Sequence, residues 1–171
     1  MKIKVLIIQL VILLFLVSCQ RPAPQLPANK TDETDSTKMG LLKLNEKMIF
    51  TEDSLIRDYV NNSNTQYNKH ELGFWYYIEK TDLSSVVYAH QQCEVIYQEY
   101  SLENKFIVEH KATIIIGKKQ LPVGIEEGLK MLRKGGKANL VIPWYLAYGM
   151  KGNGVEVKPY TSLIVHLQWI R

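Results

Sequence analysis

The hydrophobic rhythm changes several times along the chain, and each rhythm predicts a different element. Residues 5–17 are apolar except for Gln9. Beyond a polar stretch, Leu41, Leu44 and Met48 share one helical face, and Leu55, Ile56 and Tyr59 mark a second run. That spacing predicts helix over residues 39–62 in two pieces, with Thr51 capping the second ahead of Glu52 and Asp53. Strand signals follow: an aromatic-rich run at 73–79, a second at about 90–100 across Val95, Ile96 and Tyr97, and a third at 106–116. Helical spacing returns between Ile125 and Leu132, where Ile125, Leu129 and Leu132 fall at i, i+4 and i+7. About two turns are expected there, with Glu126, Glu127 and Lys130 facing elsewhere and Gly135-Gly136 as the stop. Ala138, Leu140 and Ile142 then alternate with more polar neighbours, a strand that Pro143 ends because it has no N–H for a ladder. Leu163, Val165, Leu167 and Trp169 alternate in a closing strand over 162–170. Five strands and one short helix, behind an N-terminal helical extension, make an α+β chain.

The leading segment reads as an address. Lys2 and Lys4 precede the thirteen residues of 5–17, too few for a bilayer core that needs roughly 20. This is the pattern of a cleaved secretory signal. Leu16-Val17-Ser18-Cys19 resembles a bacterial lipobox, which implies a signal peptide over 1–18 and acylation of Cys19. The expected result is a lipid-anchored protein, with Gln20 favouring the outer membrane and the lack of a nearby acidic run favouring its periplasmic face. Residues 19–38, with Pro22, Pro24 and Pro27 followed by a Thr/Asp/Glu/Ser stretch, read as a tether too polar to bury a core. The remainder divides into the helical extension, 39–64, and one domain, 65–171.

Charge narrows the field. With 21 Lys+Arg against 17 Asp+Glu, of which Lys2 and Lys4 leave with the signal, both signs are interspersed and no nucleic-acid face stands out. Acylation of Cys19 leaves Cys93 as the remaining thiol, so an intramolecular disulfide is excluded and Cys93 is expected as a small buried side chain. His70, His90, His110 and His166 are scattered without ligand spacing, and no nucleophile-elbow, phosphate-loop or zinc-protease pattern occurs. No metal or cofactor is expected.

The stretch from Gly117 to Gly149 carries a more specific signal. Gly117, Gly124, Glu126-Glu127-Gly128-Leu129, Met131, Gly135-Gly136-Lys137-Ala138, Ile142-Pro143 and Leu146-Ala147-Tyr148-Gly149 resemble, in order, the FK506-binding-protein (FKBP) family of peptidyl-prolyl isomerases. With Tyr97 and the closing strand, the resemblance covers roughly 85–171. It implies an antiparallel five-stranded sheet curled around one short helix, and a pocket for proline-containing polypeptide clients. By resemblance the catalytic residues are Tyr97 and Tyr148, the latter as hydrogen-bond donor to the peptide. The substrate-binding set is Leu121, Pro122, Val157 and Val165, with Ile125 at the floor.

Several positions depart from the family. Ile125 stands where tryptophan is usual, and Pro122 cannot give the backbone N–H usual there. Val165 and Ala112 replace aromatics. Val108 falls near the place of the pocket aspartate, and Glu109 beside it faces the other way on a strand. Two functions therefore stay open: a peptidyl-prolyl cis-trans isomerase assisting envelope-protein folding, or a non-catalytic chaperone or binding module that keeps the fold. Within the family the layout is similar to gliding-motility-associated lipoproteins, through the lipobox, the tether, the helical extension and the 73–77 aromatic run. That similarity implies service to a motility or secretion machine. Some family members dimerise through helical N-terminal segments, so residues 39–62 are expected either to pair with a second copy or to pack on their own domain.

Overall fold

A computed structural model describes residues 32–80 and 90–170, with side chains from residue 37 onward in the first span. The expected signal peptide, Cys19 and the expected tether up to residue 31 lie outside the described residues. The described residues fall into two units, with the boundary between Leu44 and Asn45.

Helix α1 runs over Asp32–Asn62. It begins inside the stretch expected to be tether and shows no break at Thr51. The Thr51 hydroxyl does not cap a second piece; it donates to the Lys47 carbonyl at 2.9 Å, one turn back, a bond that an uninterrupted helix offers threonine. In the first unit Met39, Leu41, Leu42 and Leu44 are all at least half exposed. In the second, Ile56 and Val60 are buried against Val141, with Tyr59, Tyr67, Trp75 and Leu102 around them. This part of the helix thus packs on its own domain, while Phe50 and Leu55 stay exposed.

Among the described residues six strands form one antiparallel sheet: β1 (Asn68–Lys69), β2 (Trp75–Lys80), β3 (Gln92–Tyr100), β4 (Phe106–Ile115), β5 (Lys137–Ile142) and β6 (Leu163–Trp169). Their order is β1-β2-β5-β6-β3-β4. The strand beyond the expected five is β1, whose two residues carry no alternation to announce them. β5 ends at Ile142, and Pro143 leads into a 3-10 turn at Trp144–Leu146.

Helix α2 (Val123–Lys130) lies in the curl of the sheet. Ile125, Leu129 and Leu132 are fully buried, as their spacing predicts. The helix ends at Met131, four residues before Gly135, so the glycine pair serves the following turn rather than the stop. Close approach comes from Gly124 and Gly128: a Cβ on either would lie 2.5 Å from the side chain of Ile142 or Leu140 of β5. Glycine at these two positions lets the helix backbone settle onto the strand. Glu126, expected to face outward, is instead 5% exposed, and its Oε1 accepts the Gly117 N–H at 2.9 Å. Together α2 and the concave sheet face enclose one core running from Phe74 and Cys93 to Trp169.

Candidate functional site

The site grows from the last turns of β3. Strand alternation sends Cys93, Val95, Tyr97 and Glu99 to the concave face, and all four are buried. The ladders then decide what surrounds them. Tyr97 lies opposite His110 on β4 and Leu167 on β6; Glu99 lies opposite Val108 on β4 and Val165 on β6. The Tyr97 and His110 rings pack at 4.7 Å between centroids, tilted by 32°.

Three connections complete the cluster. After β5 the 3-10 turn folds the chain back, with Leu146 N–H bonded to Pro143 O at 2.9 Å and Gly149 N–H to Trp144 O at 2.8 Å. That return places Tyr148 over the end of β3, where its hydroxyl donates to Glu99 Oε1 at 2.7 Å. In the loop that follows, Asn153 Oδ1 accepts the backbone N–H groups of Val155, Glu156 and Val157 at 3.0, 2.9 and 2.8 Å. This single side chain shapes the loop and seats Val157, which is 3% exposed. At the start of α2 the Pro122 carbonyl accepts from both Ile125 N–H and Glu126 N–H at 3.0 Å. Pro122 caps the helix through its oxygen and holds Ile125 at the base.

The residues expected from sequence are therefore brought together. Tyr97, Ile125, Val157 and Val165 belong to one buried cluster, and Leu121 and Tyr148 pack against it half-buried. Pro122 sits beside Leu121 at the helix cap. Cys19 lies outside the described residues. Two members of the site are absent from that expected set: Glu99 and His110. Strand parity could have found Glu99, since it lies two residues after Tyr97 and must share its face; Glu109 is exposed and bonds Gln98 outside. His110 looked like a scattered histidine until the ladder put it beside Tyr97.

Electrostatics follow from burial. Glu99 is fully buried, and burial holds its carboxyl above the ordinary glutamate range. The hydrogen bond from Tyr148 and the nearby His110 offset part of that rise, while Glu156 adds to it. Glu99 Oε2 and His110 Nε2 face each other at 3.9 Å, too far for a hydrogen bond, and neither has a partner. Burial and the Glu99 charge push the Tyr97 phenol up to about 12, with the Tyr148 hydroxyl offsetting part. Burial, then Glu99, raises Tyr148 as well. Both phenols are neutral donors at ordinary pH. Beside this cluster a groove of about 700 Å³ runs between α1 and the β3–β4 turn, walled by Leu55, Leu102, Phe106, Ile107 and Tyr160 with Glu52 and Glu156 among its polar groups. Among the described residues no group of three or more His, Cys, Asp and Glu is placed to hold a metal ion.

Comparison with known proteins agrees with this geometry. The FKBP-type peptidyl-prolyl cis-trans isomerase family matches residues 79–168, just over half of the chain. An FK506-binding protein of Neisseria meningitidis serogroup A is 34% identical over 59 residues, covering 34% of this chain and 54% of that protein. The chain thus spans about half the length of the curated relatives it matches. In structure it is similar to a peptidyl-prolyl cis-trans isomerase of Pseudomonas syringae pv. tomato, with TM-score 0.60 and 20% identity over 74% of this chain and 93% of that one. It is similar also to FkpA of Escherichia coli, with TM-score 0.60 and 18% identity over 84% of this chain and 73% of that one. The buried Tyr97–Tyr148 cluster, the helix in the curl of an antiparallel sheet and the matched span lead to one conclusion: the chain belongs to the FKBP-type peptidyl-prolyl cis-trans isomerase family.

Proposed function

We propose that the protein is a peptidyl-prolyl cis-trans isomerase acting on proline-containing polypeptides. The observation that carries this reading is the apolar cluster of Tyr97, Ile125, Val157 and Val165 with the Tyr148 hydroxyl over it. Rotation about an Xaa-Pro bond faces a barrier of about 18–20 kcal/mol from lost amide resonance. The twisted amide is less polar than the planar one, so an apolar wall favours it, and a phenol can hold a neighbouring carbonyl. Neither nucleophile nor metal is required. The test is exchange of a Leu-Pro peptide measured by magnetisation-transfer NMR. We expect acceleration with the wild-type protein and a loss in Tyr148→Phe; no acceleration at high protein concentration would refute the reading.

A second reading, a non-catalytic chaperone or binding module, draws support from Pro122, which has no N–H to offer a peptide, and from the engagement of Tyr148 by Glu99. Peptide binding without acceleration would select it.

The cellular setting belongs to the same proposal. Acylation at Cys19, inferred from Leu16-Val17-Ser18-Cys19, would hold the protein on the periplasmic side of the outer membrane, where it would serve envelope clients of a gliding-motility or secretion machine. Incorporation of a clickable palmitate in the wild type but not in Cys19→Ala tests the anchor. The exposed Met39, Leu41, Leu42 and Leu44 support pairing of two copies through residues 39–62. Sedimentation of the chain with and without Leu41→Lys tests that pairing.

A further inference from the structure

Resting on the pocket reading above, we propose that Glu99 is a positioning residue: as a neutral acid it donates to the Tyr148 hydroxyl oxygen and so frees the Tyr148 hydrogen for a carbonyl of the bound peptide. The 2.7 Å between the two oxygens serves either direction of the hydrogen bond. A tyrosine hydroxyl has one hydrogen to give, and an ionised carboxylate only accepts. When Glu99 is ionised, the hydrogen of Tyr148 is drawn into a charge-assisted bond. The peptide carbonyl then meets lone pairs and is repelled. When Glu99 is neutral, its own O–H takes the Tyr148 oxygen, and the phenol hydrogen turns outward. A peptide arriving at the ionised form must therefore take up one proton from solvent as it binds.

The surroundings favour the neutral acid. Glu99 is fully buried, and its ladder neighbours on both sides are valines, Val108 and Val165. The titratable groups facing it are Tyr97 on its own strand, His110 on β4, Tyr148 after the 3-10 turn and Glu156 in the loop before β6. Among the described residues no lysine or arginine pairs with it. His110 comes nearest, at 3.9 Å, and forms no hydrogen bond. On β6 the titratable side chain is His166, which is exposed on the opposite face. Glu99 Oε2 has no partner, so the carboxyl is held through Tyr148. The acid that Val108 lacks is supplied from the adjacent strand, directly across the ladder.

The experiment follows affinity and exchange rate of N-acetyl-Ala-Leu-Pro-Phe-amide, which does not titrate, from about pH 5 to about pH 8. We expect wild-type affinity and kcat/KM to fall as pH rises, approaching tenfold per pH unit once Glu99 ionises. Glu99→Gln carries an amide that always donates, and its profile should be flat. A wild-type slope persisting in Glu99→Gln overturns the proposal, and so does a flat wild-type profile across a pH range in which the infrared carboxyl band lost in Glu99→Gln shows Glu99 ionising. A slope lost in His110→Gln but kept in Glu99→Gln assigns the titration to His110 and also overturns it. Should Glu99→Gln fail to fold, Tyr148→Phe decides, because a slope that survives removal of the phenol cannot run through it. If the wild type binds but does not accelerate exchange, isomerase activity is refuted while the affinity profile still judges Glu99. A merely structural Glu99 would change affinity without changing the slope.

Discussion

Two buried glutamates sit in regions of opposite character. Glu126, in the first turn of α2, gives Oε1 to the Gly117 backbone N–H and thereby ties the turn after β4 to the helix. Glu99, at the end of β3, gives Oε1 to another side chain and leaves Oε2 without a partner. Around Glu126 the packing is close to its steric limit, with Gly124 and Gly128 pressed on Ile142 and Leu140. Around Glu99 the neighbours are phenols, a half-buried imidazole and small valines. A buried acid satisfied by backbone closes a structure; one satisfied by a phenol at the edge of a pocket keeps a capacity to respond.

That contrast can be broken from the scaffold side first. Leu129→Ala empties a fully buried position and should cost about 2–5 kcal/mol in urea denaturation. The slope of peptide affinity with pH should be unchanged; a changed slope would tie α2 to the titrating end of β3. Gly128→Ala should cost about 1–3 kcal/mol through the Leu140 contact, partly offset by alanine's better helix propensity. A net stabilisation would show that the sheet yields and that the two regions do not differ in tightness. Glu126→Ala removes the acceptor of one backbone N–H and should cost about 1 kcal/mol, again with the affinity slope intact.

The smallest effect is the most diagnostic. The folded-state pKa of Glu99 is raised, whereas an unperturbed glutamate titrates near about 4.3. The wild type therefore keeps the Glu99 contribution below that unfolded value and loses it as pH rises through the folded pKa. Glu99→Gln has no such loss. Its Tm should be close to wild type near about pH 5 and should rise above it progressively toward about pH 8. A Tm difference that stays constant over this range would remove the distinction between the two glutamates.

Much of the scaffold was legible because one element's own periodicity suffices to read it. Ile125 and Leu129 lie on one helical side with Leu132 buried just past its end, and Leu163, Val165, Leu167 and Trp169 lie on one strand face. Glu126 was misread as outward because the backbone that buries it, at Gly117, comes from a neighbouring turn that a helical wheel does not contain. The continuity of α1 through Thr51 was hidden for a similar reason: a cap and an in-helix hydroxyl bond use the same residue type. Of the residues named by family resemblance, Tyr97, Tyr148, Leu121, Ile125, Val157 and Val165 lie in one cluster, and Pro122 caps α2. Glu99 was within reach of strand parity from Tyr97, whereas His110 needed the β3–β4 register to be seen.

Cys93 leads to a consequence of another kind. Its thiol is 1% exposed, and burial pushes it up to about 11. Thiolate is the form that attacks disulfides and oxidants, and at neutral pH roughly one molecule in 10⁴ carries it here. Cys93 is thus shielded from thiol chemistry in the folded protein, while an opened molecule exposes it as an ordinary reactive cysteine. Trapping followed at Cys93 itself, in the chain or in Cys19→Ala, therefore counts openings of β3. The chain carries its own clock for how often the strand that bears Tyr97 and Glu99 comes apart.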